Sequence, residues 1–297
     1  MEGDLSDGDL VRRTLGEHRV TAVIHFAASA LVGESMANPR QYFWNNVVNT
    51  LKLLDAMQDA EVKRIVFSSS AAVYGNPETD PIPEDHPQRP INPYGETKLM
   101  MERALKWYGE AYALRWMALR YFNAGGADLD GEVGEDHHPE THLIPLVIRA
   151  ALGQSPYVEV YGNDYPTPDR TAIRDYIHVV DLAEAHVRSL RHLLEGGECG
   201  ALNLGTGKGL SVREVTAAVD RRVDAARRRG VAIPHDRVPV RDGPRRAGDP
   251  PSLVADPRRA REVLGWTPQR SDIDSIVQSA WNWHAKHFLH GPDIRGT

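Results

Sequence analysis

Cysteine is almost missing from this sequence. Cys199 is the single one in 297 residues, which excludes an intramolecular disulfide and any cysteine-built zinc framework. Long apolar runs are missing too: no window approaches the ~18 to 20 uninterrupted apolar residues of a membrane span. Nor is there an excess of positive charge. Lys+Arg number 35 against 41 Asp+Glu, a formal charge of −6 with the arginines scattered, which disfavours nucleic acid as a partner. The N-terminal stretch MEGDLSDGDLVRRTLGEH is acidic where a signal peptide needs a basic and then an apolar segment. Together with the lone cysteine this predicts a reducing, cytoplasmic setting. What is present, 41% apolar and 26% charged residues, suits one large or two small globular domains.

Strand-like and helix-like runs alternate. VTAVIHFAA (20–28) and VKRIVFSSS (62–70) are short, β-branched and aromatic, and each runs into small residues, as buried strands of a parallel sheet do. Between them a helix is capped by Asn38, opened by Pro39 and striped by Phe43, Val47, Leu51 and Leu54. A second helix is predicted over 93–113 and a third strand over 113–122. The order implies a doubly wound, Rossmann-like parallel α/β sheet. After Phe122 a long polar stretch rich in glycine marks a boundary, giving a first domain over 1–122 and a smaller α/β substrate domain over 123–297, with about 171–206 returning elements to the sheet. Later elements are a strand near 157–162, a helix over 180–195, a strand at 201–205, and a helix opened by the capping-box pair Ser211 and Glu214.

The chemistry-bearing constellation is Ser68-Ser69-Ser70 at a strand end, followed by Tyr94-Gly-Glu-Thr-Lys98 at the start of a helix. Tyr94 and Lys98 are four apart and share one helical face. A lysine cation beside a phenol favours the phenolate, so the tyrosine can serve as a base while a serine hydroxyl holds the same substrate oxygen. A lone Tyr-x-x-x-Lys is usually a surface pair; the strand-end serines and the α/β setting are what give this one meaning.

With these residues the chain resembles the extended short-chain dehydrogenase/reductases, and among them the UDP-glucose (UDP-galactose) 4-epimerases. The matching stretches include HFAASALVGES (25–35), FSSSAAVYG (67–75), NPYGETKLMMER (92–103), LRYFNAGGA (119–127), YGNDYPTPDRTAIRDYIHVVDLAEAH (161–186) and RRAGDPPSLVAD (245–256). The resemblance implies C4 epimerisation of a UDP-hexose with tightly bound NAD: hydride removal, rotation of a 4-keto sugar, and hydride return. Ser70, Tyr94 and Lys98 would be catalytic. Asp4, Leu5, Phe26, Ala27, Ala28, Asn45, Ser68, Tyr94, Lys98 and Phe122 fall at cofactor positions. Ser70, Tyr94, Asn123, His142, Leu143, Tyr161, Arg174, Tyr176, Arg246, Asp249 and Leu253 fall at substrate positions, the arginines suiting a diphosphate because their planar fork meets phosphate oxygens in pairs. The family further implies a homodimer through the helices at 39–60 and 93–113.

The sequence departs from that pattern at its front. No G-x-x-G-x-x-G turn of the kind that holds a pyrophosphate at a helix N-terminus occurs, so the sheet is expected to be N-terminally incomplete, with an unpaired apolar edge on its first strand. His142 stands where many relatives have asparagine. Dehydratases of this fold carry an Asp-Glu pair after the strand-end serines, where this chain has Ala71-Ala72, so dehydration is disfavoured; UDP-GlcNAc and UDP-xylose/arabinose epimerases, and a non-catalytic binding protein, remain as alternatives. Asp136, His137, His138 and His142 in GEDHHPETH read as a solvated loop, so no metal site is expected. NLGTGKGLS lacks Walker A spacing and reads as a structural turn, and the Arg227–Arg229 and Arg258–Arg261 runs read as solvated helix surface.

Overall fold

The computed structural model describes residues 2–246 and 249–289, the last three of these by backbone alone. In chain order come α1 (Gly8–Glu17), β1 (Val23–His25), α2 (Val32–Ala37), α3 (Pro39–Tyr42), a π-helical turn (Phe43–Val48), and α4 (Asn49–Asp59). Then follow β2 (Arg64–Ser70), a 3-10 turn (Ala71–Val73), α5 (Pro93–Tyr112), β3 (Arg115–Tyr121), β4 (Asn123–Gly125), and α6 (Leu143–Ala151). Next are β5 (Val158–Tyr161), β6 (Ile173–His178), α7 (Val179–Leu194), β7 (Gly200–Leu204), β8 (Gly209–Ser211) and α8 (Val212–Arg228). The described part ends with β9 (Val240–Gly243), β10 (Ser252–Leu253), α9 (Arg258–Leu264) and α10 (Ile273–Leu289). No helix among the described residues is long and apolar enough to cross a membrane.

The chain divides into two compact units. The first holds residues 1–121, 184–204 and 256–266; the second holds 122–183, 205–255 and 267–297. Of the stretch expected to return to the first sheet, 171–183 lies in the second unit, while 256–266 joins the first.

The first unit is built on a parallel sheet of order β1-β2-β3-β7. Its central strand is buried along nearly its whole length, Ile65 and Val66 fully, which is why its sequence is a continuous apolar run rather than an alternating one. Val47, Leu54 and Met57 pack with Ile65, Phe67 and Leu105 in one cluster that Leu15 of α1 also joins. β1 occupies a sheet edge among the described residues, and at three residues it is much shorter than the 20–28 run expected. The helix expected from Asn38 onward is interrupted by the π-turn over Phe43–Val48, although Asn38 and Pro39 do open it.

The second unit has a sheet of order β10-β6-β4, with β8 antiparallel on β6, and a separate parallel pair β5-β9. The capping box of α8 is complete: Ser211 Oγ accepts from Glu214 N at 3.1 Å and Ser211 N donates to Glu214 Oε2 at 2.7 Å. Val215, Val219 and Val223 bury that helix against α6 and α10, with Trp281 in the same cluster.

Gly95 fixes how closely α5 approaches the turn after β2, because a Cβ there would lie 2.4 Å from the Ala72 carbonyl oxygen. In an open helix, glycine to alanine stabilises by about 0.5–1 kcal/mol. Gly16→Ala on α1, with open space around the added carbon, should show that gain in urea unfolding. Gly95→Ala should do the opposite and cost about 1–3 kcal/mol from overpacking, measured as a lower urea midpoint.

Candidate active site

The first unit brings the catalytic candidates together because the 3-10 turn that follows β2 packs closely against the first turn of α5 at Gly95. Ser70 ends β2 and its Oγ caps the following turn, accepting from Ala72 N at 3.2 Å. Asn92 caps α5 through Gly95 N at 2.8 Å, and Pro93 takes the first helical position, so Tyr94 lies in the first turn and Lys98 one turn on. Thr97 holds the same turn from within, donating to the Tyr94 carbonyl at 2.7 Å.

The electrostatics differ from the sequence expectation. Burial pushes the Tyr94 phenol up to about 12, opposed by hydrogen bonding to Ser70, and neighbouring Tyr121 raises it further. Lys98 does not pull it down: its Nζ donates to the Ser68 carbonyl at 2.7 Å and sits 5.0 Å from the Phe67 ring centroid and 5.7 Å from that of Tyr94. Burial in turn lowers the Lys98 ammonium to about 8, with Glu102 acting against that fall. Desolvation therefore outweighs the Tyr-Lys attraction in this arrangement. His25, buried next to Thr50 Oγ1 at 2.9 Å, is lowered to about 4 by burial and by Lys98.

The cofactor candidates are spread along the same unit. Ser68 Oγ bonds the Tyr121 hydroxyl. Phe26 is 56% exposed, its ring 4.6 Å from His186, and Ala27 and Ala28 continue the segment after β1. Asn45 Nδ2 donates to Ser29 Oγ at 3.1 Å. Asp4 is exposed and accepts from Ser6 N at 2.7 Å, while Leu5 packs against the first core. The Lys98 ammonium is buried with a single hydrogen bond for three N–H groups, so two donors are left for a ligand's hydroxyls. That fits the nicotinamide-ribose end of a dinucleotide. A glycine-rich pyrophosphate turn is not contained in the 297 residues.

In the second unit Asn123, Arg174, Tyr176, Asp249 and Leu253 lie on or beside β6, whereas Tyr161 and Arg246 meet at the separate strand β5 and His142 and Leu143 stand at the start of α6. Phe122, the remaining cofactor candidate, opens this unit half-buried, and Asn123 pairs with Tyr176 across β4 and β6. Arg174 Nη2 bonds Asp249 Oδ1 at 2.5 Å and Leu253 lies beside Arg174 in register. Arg246 stacks over Tyr161, 4.0 Å from its ring centroid. Tyr176 is buried and its phenol is held well above the usual range by desolvation. His142 precedes α6 and Leu143 begins it. The imidazole of His142 bridges Glu135 and Glu140, which raise it to about 10; Glu140 is held down at about 2 by bonds from His142 and the backbone, against its burial. The NLGTGKGLS turn does not present free N–H groups, since those of Thr206 and Gly207 bond the buried Asp175 carboxylate.

Several organising residues escape sequence reading. Glu102 continues the Tyr94-Lys98 face by one more turn and binds Arg120 of β3, Nε to Oε1 at 2.9 Å, with both side chains over nine-tenths buried. Glu102 also accepts from Ser69 Oγ, and Arg120 Nη1 reaches the Tyr74 hydroxyl at 2.9 Å. Asn46 clamps the Ser29 backbone from both sides, at 2.8 and 2.9 Å, and reaches Thr97 Oγ1 at 3.1 Å. The four-residue spacing after Lys98 is the one signal that could have found Glu102.

The chain is similar to known proteins over nearly its whole length. The model of the GDP-mannose 4,6 dehydratase family matches residues 1–279. The chain is 49% identical over 290 residues to a UDP-glucose 4-epimerase of Rhizobium meliloti, covering 98% of this chain and 85% of that one. It is similar to the crystal structure of the Brucella ovis UDP-glucose 4-epimerase in complex with NAD, at 51% identity and TM-score 0.89, covering 95% of this chain and 83% of that chain. It is also similar to the Bifidobacterium longum UDP-glucose 4-epimerase in complex with NAD+ and UDP, at 41% identity and TM-score 0.86, covering 97% and 83%.

Two stability outcomes follow from the buried charges. Glu102→Met leaves Arg120 charged and unpaired, and should cost about 3–5 kcal/mol in urea unfolding, with much of it recovered in Glu102→Met/Arg120→Met. His25 is neutral when folded and takes up a proton more readily when unfolded, so its contribution is complete above about pH 6.5 and lost as the pH falls through about 4. The loss should approach about 3 kcal/mol, and His25→Gln should flatten unfolding free energy against pH over that window.

Proposed function

The chain belongs to the GDP-mannose 4,6 dehydratase family and to the UDP-glucose 4-epimerases, and from that premise we propose that it interconverts UDP-glucose and UDP-galactose by inverting C4 with NAD. The observation that carries the reading is Ser70, Tyr94 and Lys98 set at the β2 end and the first turns of α5, beside a turn whose Ala71 and Ala72 offer no acid for expelling water. Bound NAD supplies hydride acceptance and return at C4. The Tyr94 oxygen takes the proton of the sugar 4-hydroxyl and gives it back after the 4-keto sugar has turned its other face. Ser70 holds the same oxygen. Lys98 would hold the nicotinamide ribose through its spare N–H groups, and by turning from the Ser68 carbonyl toward the phenol it would favour the phenolate.

In the second unit Arg174 and Arg246 hold the diphosphate, with Tyr161, Tyr176 and Asp249 on the uridine side. Asn123, His142, Leu143 and Leu253 bound the sugar. Asp4, Leu5, Phe26, Ala27, Ala28, Asn45 and Ser68 of the first unit, and Phe122 of the second, would hold the cofactor. We place the enzyme in the cytoplasm as a homodimer through the segments 39–60 and 93–113. Trp44, Met100 and Trp107 support that surface, at 57%, 38% and 65% exposure.

UDP-galactose should be converted to UDP-glucose by the purified chain, and denaturation should release NAD. Tyr94→Phe should lower the rate at least about 10²- to 10⁴-fold; a surviving rate overturns the proton-transfer role. Turnover of UDP-GlcNAc in place of UDP-glucose would move the assignment to the acetylated sugar. Light scattering should give a dimer that Trp107→Glu converts to monomer.

A further inference from the structure

The loop before α6 keeps its histidines at the surface, as its sequence suggests, with His137, His138 and His142 at 52%, 70% and 41% side-chain exposure, yet four of its side chains also converge. Asp136 and His138 turn outward from these four, 3.7 Å apart and about two-thirds exposed. Each of two imidazole Nδ1 atoms faces both of two carboxylates: His137 lies 3.0 Å from Glu135 Oε1 and 3.8 Å from Glu140 Oε2, and His142 lies 2.5 Å from Glu135 Oε1 and 3.1 Å from Glu140 Oε1. All four donor groups fall within 4.8 Å of one another. The Glu140 side chain is 1% exposed, and while its Oε1 accepts from Thr141 N at 2.7 Å and His142 N at 2.8 Å, its Oε2 has no hydrogen-bond donor. The nearest cation to Oε2 on another element is the Arg149 guanidinium, at 4.0 Å.

We propose that Glu135, His137, Glu140 and His142 form a binding site for a divalent first-row transition metal ion of the Zn²⁺ class. Tetrahedral Zn²⁺ with bonds of roughly 2.0–2.2 Å holds its donors about 3.3–3.6 Å apart, and the separations of Glu135 Oε1 from the two imidazoles, 3.0 and 2.5 Å, and of Glu140 Oε2 from His137, 3.8 Å, lie on either side of that spacing. Two carboxylates balance the dication, and two imidazoles select it over Mg²⁺ or Ca²⁺, which take oxygen ligands. Glu140 Oε2 gains the partner it otherwise lacks while Oε1 stays on the backbone. The frame is already held: the Glu135 carbonyl accepts from Trp283 Nε1 of α10 at 3.1 Å, and His142 directly precedes α6. Four protein ligands leave no open position, so the ion is structural and fastens this loop to α6 and α10. The site shares His142 with the sugar-bounding residues proposed above, and metal binding and Tm, read without turnover, test it separately from that reading.

The test uses the full-length chain without a histidine tag, stripped with chelator and titrated with ZnCl₂ by calorimetry, with bound metal counted by mass spectrometry. One equivalent of Zn²⁺ is expected, with a Kd below about 1 µM and a rise in Tm on binding. MgCl₂ at the same concentration should give neither. His137→Ala and Glu140→Gln should each weaken Zn²⁺ binding about 100-fold or more. Since Glu140 is buried and its variant can lose folding, the His137 variant, altered at a half-exposed side chain, decides the matter once circular dichroism shows it folded. No stoichiometric Zn²⁺ on the wild-type chain, or equal affinity in folded His137→Ala, overturns the site and leaves the cluster as a histidine-carboxylate ion pair.

Discussion

The ion pair between Glu102 and Arg120 is the constraint on which the rest of the first unit depends. Both side chains are more than nine-tenths buried, so neither can be left alone without a charge stranded in a low-dielectric interior. The bonds to Glu102 hold the Arg120 guanidinium charged despite the burial that works against it. The pair ties the third turn of α5 to β3, and through Ser69 to β2, so the helix cannot slide or rotate over the sheet. Its far side continues from Arg120 through the Tyr74 hydroxyl to Asn203 of β7, which also bonds the Ile82 carbonyl. The register that carries Tyr94 and Lys98 is thus set by polar contacts on the helix's buried face, with Leu99, Met101 and Leu105 filling the space around them.

Within that frame, burial governs the site's charges. The phenol is raised and the ammonium lowered, each toward its neutral form, because both have left water without a full complement of partners. Lys98 rests on a carbonyl and an aromatic face, the weak partners at hand. A buried amine with unused donors is costly in a chain alone and useful in one that receives a polyhydroxylated ligand.

The second unit solves a similar problem with carboxylates. Asp175, raised by burial, collects the N–H groups of Thr206, Gly207 and Ala255 and so holds the glycine-bearing turn and the segment after β10 against β6. Gly205 is required there, since a Cβ would lie 2.5 Å from the Asp175 carboxylate. Arg174, next to Asp175 on β6, pairs instead with Asp249.

Much of the fold is written in the sequence's periodicity. The apolar run of β2, the Asn92-Pro93 start of α5 and the Ser211-Glu214 capping box depend on neighbours within a few residues, and each formed within a residue or two of its expected place. The four-residue spacing of Tyr94 and Lys98 is equally local. What the tertiary structure alone decided is long-range: that Arg120 finds Glu102, that Asn46 clamps Ser29, that Glu135 and Glu140 close on His137 and His142. It also decided that Lys98 turns to the Ser68 carbonyl rather than the phenol, reversing the expected direction of the Tyr94 shift. Local propensity depends on spacing along the chain, whereas desolvation and pairing depend on what folding brings within a few ångströms, and a sequence read alone contains the first but not the second.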